Sequence, residues 1–348
     1  METFTIQPKL HFGNDALGAL KELAGKRVLI VTDAFLASSG LLNRVRNHLA
    51  LSDVTVFDQV TPDPSVELVA RGVQMFREVQ PDAMIAFGGG SPMDCAKAIR
   101  WSAGGHVPLW AIPTTAGTGS EMTAYAVLTD TEKGLKHPLV DETLLPEHAI
   151  LDVSLLEGVP PAVTADTGMD VLTHAAEAYV SLHANHFTDA LAEKAFVLAY
   201  ENLPGAYRGG MAEKSALLYA SCMAGMAFNA AGLGICHSLA HALGGRMHMP
   251  HGRLNALLLP HVIRFNAADS AVARKYAKLA KLCGLATSPR ALSGAVSRLL
   301  TALKMPSALA VEDLSGIAAA ALADPCTATN PRGPTQAQLE ALLRGLSR

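Results

Sequence analysis

Charge is scarce in this chain of 348 residues, and neither sign dominates: 28 Lys and Arg stand against 31 Asp and Glu. With no polybasic or polyacidic run, the chain carries no electrostatic footprint for nucleic acid or for an anionic membrane surface. Long hydrophobic runs are missing too. No stretch reaches the ~18 apolar residues of a membrane-spanning helix, so none is expected. Cysteine is sparse. Cys95, Cys222, Cys236, Cys283 and Cys326 are scattered, odd in number and never arranged as C-x-x-C. That usage predicts reduced thiols rather than a disulfide framework. The opening METFTIQPKLHFG has no basic segment leading into an apolar one, so it does not read as a secretory signal, and a cytoplasmic protein is expected.

What the chain has in quantity is apolar residues, 50% of the total, over a length too great for one ordinary core. Two domains are the expectation. RVLIVTD (27–33), VTVFD (54–58), AMIAFGGGS (83–91), PLWAIPTT (108–115) and HAILDV (148–153) read as strands. Helical stretches such as SVELVARGVQMFREV, from Ser65, separate the earlier ones. This alternation predicts a mostly parallel, Rossmann-like sheet covered on both faces. YAVLTDTEKGLKHPL (125–139) differs: two short runs flank a turn at 130–134, which predicts an inserted β-hairpin. After VPP (159–161) strand signals fade and Ala/Leu-rich helical patterns run to the C-terminus, with TNPRGP (329–334) a breaker before a short last helix. The expected organisation is an α/β domain over 1–157 and an all-α domain over 158–348.

GGGSPMD (88–94) follows a strand and opens a helix. Ser91 reads as its N-cap, Pro92 as the first helical residue and Asp94 as the capping-box partner. A helix N-terminus reached through glycines can take a phosphate. Met93 stands where the third glycine of G-x-G-x-x-G belongs, so the dinucleotide fingerprint is not met, and a plain tight turn is an equal reading. PTTAGTGSE (113–121) is a second glycine- and hydroxyl-rich loop after a strand, and two such loops at one end of a parallel sheet make a phosphate crevice. Asp33, at the end of RVLIVTD, either binds a ribose 2′-OH, which would favour NAD over NADP, or caps the next helix.

Histidine is the other signal. His237, His241, His248 and His251 fall within fifteen residues of a chain that has 13 in all. His237 and His241 are spaced i, i+4 on one helical face, as are Asp170 and His174 in GMDVLTHAAEAY. HSLAH is not H-E-x-x-H, since Ser238 stands where a metalloprotease has glutamate. His251 follows Pro250 at an expected turn, and His248 reads as a structural core histidine. A carboxylate with several imidazoles suits Fe²⁺ or Zn²⁺ and suits Ca²⁺ or Mg²⁺ poorly.

FGGGSPMDCAKAI, IPTTAGTGSE, TGMDVLTHAAEAY, AHALGGRMHMPHGRLNALLLP and TNPR occur in that order. With these motifs the whole chain resembles the iron-containing (group III) alcohol dehydrogenases. TFTIQPKLHFG, VTDAFLASSGLL, TPDPS and LLYASCMAGMAFNAAGLGICH carry a closer likeness to those of propanediol and ethanolamine utilisation operons. The resemblance implies the fold shared with dehydroquinate synthase, a dinucleotide-binding α/β domain followed by an all-α metal-binding domain. It implies Asp170, His174, His237 and His251 as metal ligands, for Fe²⁺ with Zn²⁺ as the alternative. His241 then lines the site as a proton relay and Phe228 forms part of the pocket wall. NAD(H) contacts are implied for Asp33, Gly89, Gly90, Ser91, Asp94, Thr114, Thr115 and Lys136, with Lys136 toward the nicotinamide.

The implied reaction is reversible reduction of a small aldehyde, of the propionaldehyde or acetaldehyde class, to a primary alcohol. The implied setting is a homodimer in the cytoplasm or inside a bacterial microcompartment, beside its shell or lumen proteins. Polyol or glycerol dehydrogenases and maleylacetate reductases share the fold and stay open as alternatives. The cyclase dehydroquinate synthase would need a basic pocket, for which only Arg246 and Arg253 lie near the histidines. An inactive structural or binding protein of a microcompartment is the alternative from another class.

Overall fold

The computed structural model describes residues 4–131, 135–247 and 249–347. It divides into two compact units, Met1–Val159 and Pro160–Arg348.

In the first unit the chain runs β1 (Lys9–Phe12), β2 (Arg27–Asp33), α1 (Ala34–Ser38), α2 (Leu41–His48), β3 (Asp53–Val60), α3 (Val66–Val79), β4 (Ala83–Gly88), α4 (Gly90–Ser102), β5 (Leu109–Pro113), β6 (Tyr125–Asp130), β7 (Leu135–Val140) and β8 (His148–Leu151). Strands β4 and β5 are buried along their whole length, as near-continuous apolar strands covered on both faces must be. The six-stranded sheet has the order β1-β8-β5-β4-β2-β3, and its pairings are all parallel. Edge strand β1 carries no marked apolar alternation and went unread in the sequence; its pairing with distant β8 makes it a strand. From β2 the chain steps outward to β3 and then returns to β4 on the other side of β2. That reversal is a topological switch point, where parallel α/β sheets hold ligands beyond their carboxyl ends. Asp33, Gly88 and Pro113 terminate β2, β4 and β5 at that end. Strands β6 and β7 form the antiparallel hairpin, registered from Tyr125↔Val140 to Asp130↔Leu135. Part of its expected turn, 132–134, lies outside the described residues.

The second unit is helical. It comprises α5 (Pro161–Val180), α6 (His186–Tyr207), α7 (Met211–Ala231), α8 (Ile235–Met247), α9 (His251–Asn266), α10 (Ser270–Leu282), α11 (Pro289–Ala302), α12 (Leu314–Ala323) and α13 (Gln336–Gly345). Helix α5 is buried from Met169 to Val180, and its polar residues Asp170, His174 and Glu177 are buried with it. It packs against α6, α7 and α9. Small residues let these helices approach closely: a Cβ at Gly252 of α9 would lie 2.1 Å from the Asp166 carbonyl oxygen of α5. Helices α7 and α8 meet at 102° across a break at Gly232–Gly234. Among the described residues, no single helix is long and apolar enough to cross a membrane.

Candidate active site

The two glycine loops of the first unit are joined. Thr114 N donates to the Gly88 carbonyl at 3.0 Å. Gly88 adopts φ +149°, and a Cβ there would lie 2.5 Å from Pro92 Cγ, so glycine is required where β4 turns into α4. One expectation is corrected here. The N-cap of α4 is Gly89, with no side-chain cap, so Ser91 lies inside the first turn. Glycine backbone freedom, not a hydroxyl, starts this helix, and its first N–H groups are left to a ligand or water. Gly89, Gly90, Ser91 and Thr115 are half-buried along this turn, and Thr114 is buried. Asp94 Oδ1 accepts from the Ser120 hydroxyl at 2.9 Å and Oδ2 accepts from Val127 N at 3.0 Å, which ties the second loop and the hairpin to α4.

Lys97, fully buried, completes that tie. Its ammonium donates to the Ser120 and Thr123 carbonyls and hydroxyls and to the Tyr125 carbonyl, at 2.6–3.0 Å. Asp33 caps α1, accepting from Leu36 N at 2.8 Å. Lys136 falls on β7, and its side chain lies outside the described residues.

In the second unit the metal-type side chains gather. Ligand atoms of Asp170, His174 and His237 all lie within 4.8 Å of one another. His251 opens α9 as its first residue rather than sitting in a turn. Its Nε2 lies 3.9 Å from Asp170 Oδ1, the same distance as His237 Nε2. Two ligands each about 2.1 Å from one ion stand no more than about 4.2 Å apart, so both pairs can share an ion. Asn255, one turn beyond His251, reports on that space. Its Nδ2 lies 2.7 Å from Asp170 Oδ1 and 3.1 Å from both His237 Nε2 and His251 Nε2. An amide has two protons, and three acceptor atoms crowd this one. Its own buried Oδ1 has no hydrogen-bond partner. Acceptors that converge in excess of donors fit a cation, and this set of one carboxylate and imidazoles fits Fe²⁺ or Zn²⁺.

The electrostatics agree with a ligand role. Burial, and then the neighbouring His174, His251 and His241, hold His237 well below its usual pKa, so it is neutral as a metal ligand must be. Burial pushes the Cys236 thiol well up, which keeps it protonated beside the site. Phe228 of α7 stacks on His174 at 4.6 Å between ring centroids. His241 stacks on His251 at 5.2 Å, and its Nδ1 is 2.8 Å from Asp324 Oδ2. Burial opposes ionisation of Asp324, yet the bonds from His241 and Cys326 hold it below the usual carboxylate range. His248 lies outside the described residues. Sequence reading missed Glu177, Asn255 and Asp324. Arg253 and Arg246, which it weighed as substrate anchors, are ion-paired. Arg253 makes a bidentate bond to Asp166 at 3.0 and 2.9 Å, and Arg246 pairs with Asp313.

Residues 7–153 match the family described as iron-containing alcohol dehydrogenase, and residues 164–346 match its C-terminal part. The chain is 44% identical to the 1-propanol dehydrogenase PduQ of Citrobacter freundii, over 99% of this chain and 100% of the relative. Among solved structures, 1,3-propanediol oxidoreductase is 37% identical with a TM-score of 0.94, covering 99% of this chain and 100% of that one. Sulfoacetaldehyde reductase from Bifidobacterium kashiwanohense, in complex with NAD⁺, is 28% identical with a TM-score of 0.92, covering 100% and 99%.

Proposed function

The chain belongs to the iron-containing alcohol dehydrogenase family, and from that premise we propose that it reduces a small unbranched aldehyde to a primary alcohol with NADH, reversibly. The observation that carries this reading is the convergence of Asp170, His174 and His237, joined through Asn255 by His251. In this proposal these four residues hold one Fe²⁺. When bound, the metal supplies Lewis acidity at the carbonyl oxygen and the reduced nicotinamide supplies the hydride.

The chain's own residues do the rest. Phe228 and the buried helix faces around His174 shield Asp170, His174 and His237 from water. Asp324 accepts the His241 Nδ1–H, which leaves the Nε2 lone pair free to take a proton from solvent and hand it to the alcohol oxygen. The loops at Gly88–Asp94 and Pro113–Glu121 take the cofactor phosphates, and Asp33 disfavours a 2′-phosphate. The NAD⁺ complex of sulfoacetaldehyde reductase supports the cofactor, and the 1-propanol dehydrogenase relative supports a three-carbon substrate class. A phosphorylated acid substrate finds no anchor in Arg246 or Arg253, since each already holds a carboxylate. A homodimeric state and residence in a microcompartment belong to the same proposal and rest on the resemblance.

The test is anaerobic NADH oxidation with propionaldehyde, on protein stripped of metal and then given Fe²⁺ or Zn²⁺. Activity restored by Fe²⁺, and weaker with NADPH in place of NADH, is expected. No turnover with either metal, despite NADH binding, would refute the substrate class.

A further inference from the structure

We propose that Glu177 is the positioning residue of this metal site: its carboxyl group fixes the tautomer and orientation of His237. The inference rests on the metal reading above. Glu177 lies three residues after His174 on α5 and is 1% exposed. Three nitrogens are within bonding distance of it. His237 Nδ1 is 2.6 Å from Oε2, Gly234 N donates to Oε2 at 3.0 Å, and Cys236 N donates to Oε1 at 2.7 Å. The two backbone N–H groups can only donate, so the carboxyl group faces them as an acceptor.

In this proposal His237 Nδ1–H is the third donor, which leaves the lone pair on Nε2. Nε2 is the atom that faces Asp170 and Asn255. A carboxylate on the far nitrogen of a ligating histidine fixes its ring and raises its basicity.

The local backbone is shaped to this bond. A Cβ at Gly234 would lie 2.7 Å from both Glu177 Oε1 and Asn330 Oδ1, so only glycine lets the start of α8 reach the carboxylate. Asn330, from the TNPR segment, accepts from the next backbone amide, Ile235 N, at 3.3 Å. Both side chains therefore bond the start of α8, Glu177 at Gly234, Cys236 and the His237 ring, and Asn330 at Ile235 N.

The experiment measures Co²⁺ and Zn²⁺ affinity by chelator competition, the Co²⁺ absorption spectrum, and thermal unfolding of the metal-free protein. Wild type, Glu177→Gln and Asn330→Ala are compared. Glu177→Gln sets an amide where the carboxyl group held the His237 ring and the two backbone N–H groups, so its dissociation constant should rise at least tenfold, with a changed Co²⁺ spectrum. Asn330→Ala removes the bond to Ile235 N and leaves the Glu177–His237 contact in place. It should lower the unfolding temperature and leave the spectrum unchanged. Wild-type affinity and spectrum in Glu177→Gln would overturn the proposal.

Should that variant fail to fold, ¹⁵N NMR of the histidine rings in metal-free wild type decides. A proton on His237 Nδ1 supports the proposal, and a proton on Nε2 overturns it. A wild type that binds no divalent ion would overturn the metal reading itself.

Discussion

Gly252→Ala offers a severe test of the helix packing that brings the ligands together. Gly252 follows His251 on α9, and its α-carbon faces the backbone of α5 at Asp166. The added Cβ would lie 2.1 Å from the Asp166 carbonyl oxygen and 3.2 Å from Asp170 Cβ, whereas real Cβ contacts essentially never fall below 3.0 Å. The obstacle is backbone, so no side chain can swing away, and α5 and α9 must part by about 0.9 Å locally. Metal–ligand distances tolerate only about 0.2 Å. His251 on one helix and Asp170 on the other can then no longer share an ion. Overpacking of this kind destabilises by roughly 1–3 kcal/mol, offset by up to about 1 kcal/mol because Ala favours helix over Gly. The net effect on the metal-free protein is a modest fall in unfolding temperature, about 2–4 °C per kcal/mol for a unit of this size. Metal affinity should fall far more, by at least tenfold. Calorimetry of the metal-free protein and chelator competition read the two effects separately. A Gly252→Ala protein with wild-type metal affinity would refute the claim that this contact sets the distance between the ligands.

Glu121 is fully buried, and burial raises its carboxyl to about 7. The folded chain thus keeps a proton that the unfolded chain releases near pH 4.5, so stability falls as pH rises from about 4.5 to 7 and then levels off. Glu121→Gln should flatten that slope and exceed wild type at pH 8 by an amount on the order of 3 kcal/mol, read from urea unfolding at both ends of the window. Asp324→Asn should lower kcat by up to about 10²-fold with metal content unchanged, since it frees the His241 tautomer and leaves Asp170, His174, His237 and His251 intact; unchanged turnover would remove His241 from proton transfer. Arg253→Ala breaks the bidentate bond to buried Asp166 and should destabilise by about 1–3 kcal/mol without changing KM for aldehyde. A large rise in KM would return Arg253 to the substrate site.

The parts of the site that could be read in the sequence are those with a local signature. Asp170/His174 and His237/His241 announce themselves by i, i+4 spacing, and each pair lies on one helix, α5 or α8. Strands β4 and β5 were legible because full burial demands continuous apolar runs. What stayed hidden works at long range. Glu177 meets His237 across 60 positions, Asp324 meets His241 across 83, and Asn255 meets Asp170 across 85. No periodicity in one segment encodes such partners. Edge strand β1 was missed for the same reason, since its pairing with β8 spans most of the first unit. Ser91 misled because a hydroxyl beside a proline has the composition of a cap, while backbone geometry places the cap at Gly89.

The most direct test of the central claim is a count of Fe²⁺ bound per chain after anaerobic reconstitution, in wild type, His237→Ala and His251→Ala, each confirmed folded by circular dichroism. The account predicts one ion in wild type and substoichiometric, easily chelated iron in both variants. Full, chelator-resistant occupancy in either variant would contradict it.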